Sequence, residues 1–174
     1  MKLRQVIDSH YRSTNHIEQQ ISELLEGTET QAAPELTTAA ETVREAPLVR
    51  AVDMLLGQAV KERASDIHIE PQEDGLRVRY RIDGVLHESA TLPLGVHTAI
   101  LTRIKVLANM NIAERRRPQD GQFSAIIDGK PIDFRVATIE SDYGELATLR
   151  VLDKSLLVMH LSELGMSTET LEPH

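Results

Sequence analysis

The sequence predicts an α+β domain in which helices and an antiparallel sheet pack as two layers. Two segments carry apolar residues at helical spacing, and several short runs alternate between apolar and polar residues. Asp-Gly dipeptides separate these runs, as in hairpins that join antiparallel strands. The 174 residues suffice for one ordinary domain with an extension, and an aromatic share of 3% predicts an aliphatic core.

Residues 1–46 are predicted to form a helical and linker extension. They hold four Lys or Arg and eight Asp or Glu. A helix is expected around Thr14–Glu26, because apolar residues recur there on one helical face, and Gly27 would end it. Thr28–Ala46 has the composition of a linker, since it is polar, rich in Thr, Ala and Glu, and has little to bury.

Two helices are expected in the domain that follows. The first should begin at Pro47, because proline suits a first helical position, and it should end near Arg63. An apolar stripe from Leu48 to Val60 would face the core. The second is expected at Thr98–Asn109, again with apolar residues on one face.

Six strands are expected from the alternating runs and their turns. Ile67–Glu70 should be the first, with Pro71 ending it. Turns are expected at Asp74-Gly75, Asp83-Gly84, Asp128-Gly129 and Asp142-Tyr143-Gly144. The other strands are expected at Leu76–Ile82, from Val85-Leu86 onward, and at Phe123–Ile127, Ile132–Ala137 and Leu146–Leu152.

Composition limits the classes of partner. The formal net charge of -8 argues against general binding to nucleic acid or to anionic lipid, although a local basic face is still allowed. The absence of cysteine excludes a disulfide framework and a cysteine zinc site. No run approaches the ~20 apolar residues of a membrane span, so we expect no direct membrane insertion.

Arginines recur in this acidic chain and are the main candidates for binding. Arg77, Arg79 and Arg81 alternate along one strand and would place three planar, permanently charged donors on one face. That face could meet phosphate or carboxylate, or it could be a solvated face paired with Asp or Glu. Other arginines of the recurring set are Arg103, Arg115, Arg116, Arg117, Arg135 and Arg150.

Two further clusters of charged residues each allow two interpretations. Glu114–Gly121 carries three consecutive arginines and is expected to be a loop that aims them across an interface, although a solubilising loop is the alternative. Asp66, His68 and Glu70 share one strand face, where a polar face is favoured over a metal site, and no metal site is predicted.

Motifs for independent catalysis are absent from the sequence. Neither the phosphate-binding pattern G-x-x-x-x-G-K-[ST] nor G-x-G-x-x-G occurs, and there is no G-x-S-x-G elbow for a nucleophilic serine. On its own residues the chain is predicted to be a binding or regulatory module rather than a complete enzyme.

Several ordered motifs resemble one known family. They are A-P-L-V-R-A-V-D-M-L-L-G-Q-A-V-K-E-R-A-S-D-I-H-I-E-P, R-V-R-Y-R-I-D-G-V-L, R-I-K-V-L-A-N-M-N-I-A-E-R-R-R-P-Q-D-G, I-D-F-R-V-A-T and G-E-L-A-T-L-R-V-L-D-K. Over roughly residues 46–167 the chain resembles the second N-terminal domain of the type II secretion ATPases (GspE-like) and the type IV pilus assembly ATPases (PilB-like).

The resemblance implies a PAS-like curved antiparallel sheet with flanking helices. Residues 1–46 would be the end of a preceding domain plus a linker, residues 47–165 the PAS-like domain, and residues 166–174 the lead-in to a motor domain absent from this chain. The family's ATPases are hexamers at the cytoplasmic face of the inner membrane. ATP and Mg²⁺ are expected in the full-length protein and none in this fragment. Expected partners are the motor domain, neighbouring subunits and inner-membrane platform proteins.

The resemblance also implies roles for particular residues. Arg103 and Arg116 would sense nucleotide phosphates together with the motor domain, and Arg81 is the next candidate. Arg115 and Arg117 could assist. Where the family commonly has P-Q-D-G-R, this chain has Gln122 in the last place, which cannot supply a charge.

Alternative functions stay open at this point. The fragment could belong to a type IV pilus assembly ATPase rather than to type II secretion. It could also be a free-standing PAS-like sensor or adaptor, for example for cyclic di-GMP. RNA binding is disfavoured, because R-V-R-Y-R offers one aromatic residue and no stacking platform.

Overall fold

A computed structural model of the protein describes residues 17–26 and 38–154. In that part of the chain, helix α1 covers residues 17–26, and the later elements follow in order. They are α2 (Thr38–Lys61), β1 (Asp66–Gln72), β2 (Gly75–Ile82), β3 (Val85–Leu92), a 3-10 turn (Leu94–Val96), α3 (His97–Leu107), β4 (Gln119–Ile127), β5 (Lys130–Ser141) and β6 (Gly144–Asp153). Residues 28–37 of the predicted linker Thr28–Ala46 and the lead-in at 166–174 lie outside the described residues.

The six strands form one antiparallel sheet in the order β3-β2-β1-β6-β5-β4. The α+β class and the antiparallel sheet are therefore confirmed. The sheet is not one continuous meander, because β4 does not pair with β3. Two three-stranded meanders instead join through β1 and β6, which lie side by side at the centre of the sheet.

Two of the predicted turns are confirmed, and both have left-handed backbone conformations. Asp83 and Gly84 have φ of 50° and 81°, and Asp128 and Gly129 have φ of 50° and 75°. Two-residue turns with both φ values positive match the twist of the flanking strands, which explains the Asp-Gly sequences.

The other two turns exclude their predicted glycines, because Gly75 and Gly144 begin strands. Gly75 pairs with Gln72 as the first residue of β2, and a Cβ there would lie 2.9 Å from the carbonyl oxygen of Leu92. Gly144 begins β6 with a φ of 127°, and a Cβ there would lie 2.9 Å from Cε1 of His97. Close backbone and ring approaches, rather than turn geometry alone, require these two glycines.

One face of the sheet and the three helices share an aliphatic core. Ile17 and Ile21 of α1 are buried in it together with residues of α2, α3 and the strands. The hydroxyl of Tyr80 on β2 donates a hydrogen bond of 2.7 Å to the carbonyl oxygen of Leu55 on α2. The helices therefore cover one face, and the alternation along the strands turns their polar side chains to the other face.

Several predicted boundaries are wrong, three of them for identifiable reasons. Helix α2 begins at Thr38 and continues through Pro47, because Ala and Glu favour helix and the proline removes only one backbone donor. Strand β1 continues through Pro71, where β2 is its only partner. The pairing with β6 ends at Ile69, so no backbone N–H is required from Pro71 on that side. Strand β4 begins at Gln119 rather than Phe123, because the long strand β5 offers it partners as far as Thr138.

Candidate anion-binding surfaces

The polar face of the sheet carries the predicted arginine ladder, and carboxylates from β1 and β3 lie beside it. Nη2 of Arg79 lies 2.7 Å and 2.9 Å from the two carboxylate oxygens of Glu70. Nε of Arg77 lies 3.8 Å from Glu88. These two arginines thus fit the interpretation of a strand face that is paired with acidic residues.

Arg81 belongs to a different arrangement, a single line of residues across five strands that we call the arginine row. The strand register places each member directly opposite the next, in the order Gln122, Arg135, Arg150, Asp66, Arg81. Asp66 Oδ1 lies 3.3 Å from Nε of Arg150, and its Oδ2 lies 3.5 Å from Nε of Arg81. Two of the three arginines in the row therefore share one carboxylate, and Arg135 does not contact it.

The centre of the row is the pair Arg135 and Arg150, which lie directly opposite each other on neighbouring strands. Both are exposed, and they line an open depression of about 540 Å³ together with Asp66, Asp120 and Gln122. Like charges directly opposite each other on a sheet repel. In the described part of the chain, neither Arg135 nor Arg150 forms an ion pair with Asp120.

Asp133 lies two residues before Arg135, but its carboxylate is engaged mainly by other groups. Its carboxylate lies 2.7 Å from Nζ of Lys154 and accepts a hydrogen bond of 2.7 Å from the hydroxyl of Ser124. These contacts, with a smaller effect of Arg135, hold the pKa of Asp133 below its ordinary value. The depression can therefore accept an anion between Arg135 and Arg150.

The polar residues of β1 lie beside the arginines of β2 on the polar face of the sheet. Asp66, His68 and Glu70 do share one strand face, and Nδ1 of His68 lies 3.6 Å from Glu70. Burial lowers the pKa of His68 below 6.5, and nearby Arg81 and Arg79 act in the same direction against the opposing effect of Glu70. Across residues 17–26 and 38–154 no group of three His, Asp or Glu could hold a metal ion.

Arg115, Arg116 and Arg117 lie in a second candidate surface, the segment 111–118, which we call the arginine loop. The carboxylate of Glu114 accepts backbone hydrogen bonds from Arg116 at 2.9 Å and from Arg117 at 3.2 Å. These bonds lower the pKa of Glu114. The side chain of Gln119 donates to the carbonyl oxygens of Asn111 at 2.9 Å and Glu114 at 3.0 Å. The loop backbone is thus fixed, while its three arginine side chains are exposed.

The arginine loop is also tied to helix α3 by a buried ion pair. Nζ of Lys105 lies 2.6 Å from the Glu145 carboxylate and donates a hydrogen bond of 2.5 Å to the carbonyl oxygen of Glu114. A ring nitrogen of His97, Nε2, lies 2.6 Å from the backbone oxygen of Glu145. A cavity of about 310 Å³ lies between the loop and α3, and Arg115 and Arg116 line it.

The structure separates the predicted site residues. Arg81 lies in the arginine row on the polar face of the sheet, and Arg115 and Arg116 lie together at the loop cavity. Arg103 lies on α3 and lines neither cavity, and its buried Nε has no hydrogen-bond partner among the described residues. Arg117 lies 3.9 Å from Glu114.

Sequence reasoning noted Arg135 and Arg150 only as members of the recurring set and gave them no site. Each lies in its own alternating run, so the local pattern shows no relation between them. Only the pairing of β5 with β6 makes them neighbours. Gln122, singled out as a departure from the family pattern, lies directly opposite Arg135 in the row.

A family model described as type II/IV secretion system protein matches residues 41–173. Type II secretion system protein HxcR of Pseudomonas aeruginosa is 43% identical over 140 residues, which cover 80% of this chain and 30% of that protein. Type II secretion system protein E of the same organism is 39% identical over 168 residues, covering 94% and 34%. Type IV pilus assembly ATPase PilB of Myxococcus xanthus is 42% identical over 144 residues, covering 82% and 25%.

The chain spans between a quarter and about a third of the length of these curated relatives. In the part of the chain that the structure describes, no helix is long and apolar enough to cross a membrane.

Proposed function

The chain belongs to the family of type II/IV secretion system proteins, and from this premise we propose that it is the regulatory N-terminal part of a secretion ATPase. In this proposal a motor domain outside the chain binds ATP with Mg²⁺ and hydrolyses it. The full-length protein acts as a hexamer at the cytoplasmic face of the inner membrane, with neighbouring subunits and membrane platform proteins as partners.

The arginine row is the part of the chain that we propose to meet the nucleotide. The observation that carries the proposal is the direct opposition of Arg135 and Arg150, with Asp66 as the one carboxylate shared along the row. An anion placed between the two guanidiniums would relieve their repulsion. Guanidinium groups suit phosphate oxygens because their donors form a rigid planar fork.

Closure of a motor domain over the row would bring phosphate oxygens to arginines already positioned by the sheet. Positioned cations stabilise the charge that develops on phosphoryl oxygens, so the row would make turnover depend on closure. Mg²⁺ would be held outside this chain, since the row's carboxylate is already engaged by Arg81 and Arg150. Arg81 thus keeps its predicted role in this proposal, whereas the roles of Arg103 and Arg116 stay predictions.

Two alternatives use the same surface. Relatives named for type II secretion and for type IV pilus assembly both match the chain, so a pilus assembly ATPase is the first alternative. A free-standing sensor of a phosphate-containing ligand such as cyclic di-GMP is the second, because the depression is open and basic at its centre.

The first test is the coding sequence beyond His174. We expect G-x-x-x-x-G-K-[ST] within roughly the next 30 residues, on a strand-to-helix junction. A stop codon at that point would contradict the proposal and favour the free-standing sensor.

The second test is kinetic and uses the full-length protein. Arg135→Gln/Arg150→Gln should lower ATP turnover about a hundredfold or more, because two positioned cations are lost. The matched control, Arg50→Gln/Lys130→Gln, removes two exposed cations outside the row and should leave turnover unchanged. Unchanged turnover in the Arg135/Arg150 variant, with melting temperature retained, would sink the role of the row.

A further inference from the structure

The two edges of the sheet differ in how well they are protected against pairing with another strand. Strands β3 and β4 lie at the edges, and each pairs on one side only. Strand β3 carries Glu88 near its middle, and its register with β2 is interrupted between Val78 and Arg79. A charge and an irregular register both oppose the addition of a further strand. Strand β3 is therefore a protected edge.

Strand β4 lacks these protections over most of its length. The segment 121–127 contains neither a charged residue nor a proline. Its register with β5 runs without interruption from Gln119 to Ile127. Among the described residues, no backbone hydrogen bond from outside the sheet reaches residues 119–127. A regular, uncharged edge of this kind offers its unpaired N–H and C=O groups as a template for another strand.

Apolar side chains flank the edge of β4 on both faces of the sheet. On the core face the ring of Phe123 is only partly buried and stacks on Phe134, with 4.9 Å between the ring centroids. The alternation along β4 places Ile126 on the polar face with Asp120, and Ile126 is 73% exposed. A strand added beside β4 would therefore remove apolar surface from water on both faces.

The charges at the two ends of β4 indicate a second copy of this chain as the added strand. Antiparallel pairing of two β4 strands brings the start of each strand to the end of the other. The exposed side chain of Arg117 precedes β4, and Asp128 follows it. In the part of the chain that the structure describes, Asp128 forms no ion pair, and Arg117 reaches only Glu114, at 3.9 Å. Opposite charges would therefore meet at both ends of the pairing.

The same charges select the register of the pairing. A pairing centred on Ser124 would set Asp120 of one copy opposite Asp128 of the other, and like charges would meet twice. A pairing centred on Phe123 avoids this opposition and engages the whole of β4, whereas any other centre engages fewer residues. The two Phe123 side chains then lie opposite each other, which favours pairing. In this register Ile126 of each copy lies opposite Asp120 of the other.

We propose that the β4 edge is a self-association surface, at which two copies of this chain pair antiparallel about Phe123 and join their sheets into one. The contact is two-fold, with the same residues on both copies. Head-to-tail contacts close a ring of subunits, so this surface is separate from the ring contacts of the proposed hexamer. It goes beyond the nucleotide role proposed for the arginine row, and that role stands whether or not β4 pairs.

Sedimentation equilibrium of the 174-residue chain measures the self-association. We expect a monomer–dimer equilibrium with a Kd of roughly 10–100 µM, because one pair of edge strands is smaller than a standard interface. Ile126→Glu sets a like charge opposite Asp120 at two symmetric places and should raise the Kd about fivefold or more. Ile126→Lys sets an opposite charge there and should lower the Kd about threefold or more.

The other edge of the sheet provides the matched control. Val85 on β3 is also an exposed apolar residue of an edge strand, at 58% exposure. Val85→Glu and Val85→Lys change the net charge by the same amounts as the two Ile126 variants. At physiological ionic strength they should leave the Kd within about twofold of the wild-type value, because distant charges are screened. Retained melting temperatures in all four variants show that the fold is intact.

Amide hydrogen exchange locates the contact along the chain. Protection of the amides of residues 121–126 should rise with protein concentration, while protection in β3 should stay constant. A chain that stays monomeric up to about 1 mM would overturn self-association and leave the edge to a strand of another protein. Equal effects of the Ile126 and Val85 variants would overturn it as well, since net charge would then explain them. Weaker dimers with both Ile126→Glu and Ile126→Lys would overturn the register about Phe123.

Discussion

Replacement of Lys105 by methionine should be among the most destabilising single changes in this protein. The Lys105 and Glu145 side chains are 2% and 6% exposed and lie 2.6 Å apart. Methionine fills most of the volume of lysine but leaves the Glu145 carboxylate buried without its cation. Removal of one partner of a buried pair costs about 3–5 kcal/mol, against a total stability of about 5–15 kcal/mol for a domain.

The effect is measurable by urea unfolding followed by far-UV circular dichroism. With a slope of about 2 kcal/mol/M, the midpoint of Lys105→Met should fall by about 1.5–2.5 M. The exposed lysine at position 130 provides the matched control, since Lys130→Met should stay within about 0.5 kcal/mol of the wild type.

A double-mutant cycle separates the pair from its surroundings. Lys105→Met/Glu145→Leu should lie within about 1 kcal/mol of the wild type, because an apolar replacement of a buried ion pair is often neutral or stabilising. The hydrogen bond of 3.0 Å from Gln119 still satisfies the Glu114 carbonyl oxygen in that variant. A loss below about 1 kcal/mol in the Lys105→Met single variant would refute the reasoning.

Two further predictions concern β2 and β1. Tyr80→Phe removes the hydroxyl that donates to the Leu55 carbonyl at 2.7 Å and should cost about 1 kcal/mol in urea unfolding; an unchanged midpoint would count against this hydrogen bond. Burial lowers the pKa of His68 below 6.5 in the folded protein. His68 therefore binds a proton more readily in the unfolded chain than in the folded chain. The stability contribution is therefore fully present above pH 6.5 and is lost as pH falls through the lowered folded pKa. His68→Gln should flatten this dependence in urea midpoints measured from about pH 5 to about pH 8; an identical pH slope in the variant would contradict the role of burial.

Local patterns predicted much of the fold because they record local physics. Alternation identified the strands, and Asp83-Gly84 and Asp128-Gly129 gave the correct turns because few residues adopt positive φ easily. Pro47 was misleading, since the helix continues through a residue that usually begins one. The local sequence places Gln119 in a loop, because its strand depends on the length of β5, which the residues of β4 do not encode.

The candidate sites were harder to predict than the fold, because they depend on pairing between distant segments. The arginine loop was recognisable from three consecutive arginines, and the structure adds the bonds that fix it. The arginine row was not recognisable, because Arg150 and Asp66 are separated by 84 positions along the chain. A strand pattern gives the face on which a side chain lies but not its neighbour across the sheet.

The junction of the two meanders at β1 and β6 also has a consequence during synthesis. Strand β1 is the first strand of the sheet to leave the ribosome, and β6 is the last. Asp66 therefore cannot pair with Arg150 until nearly the whole domain has been synthesised. Nascent chains can pair β1 with β2, β2 with β3 and β4 with β5 early, but they cannot form the row. A prematurely terminated chain that lacks β6 would keep most of the sheet residues but would lack the complete arginine row. Such a chain could not compete with the intact protein for the partners of the row.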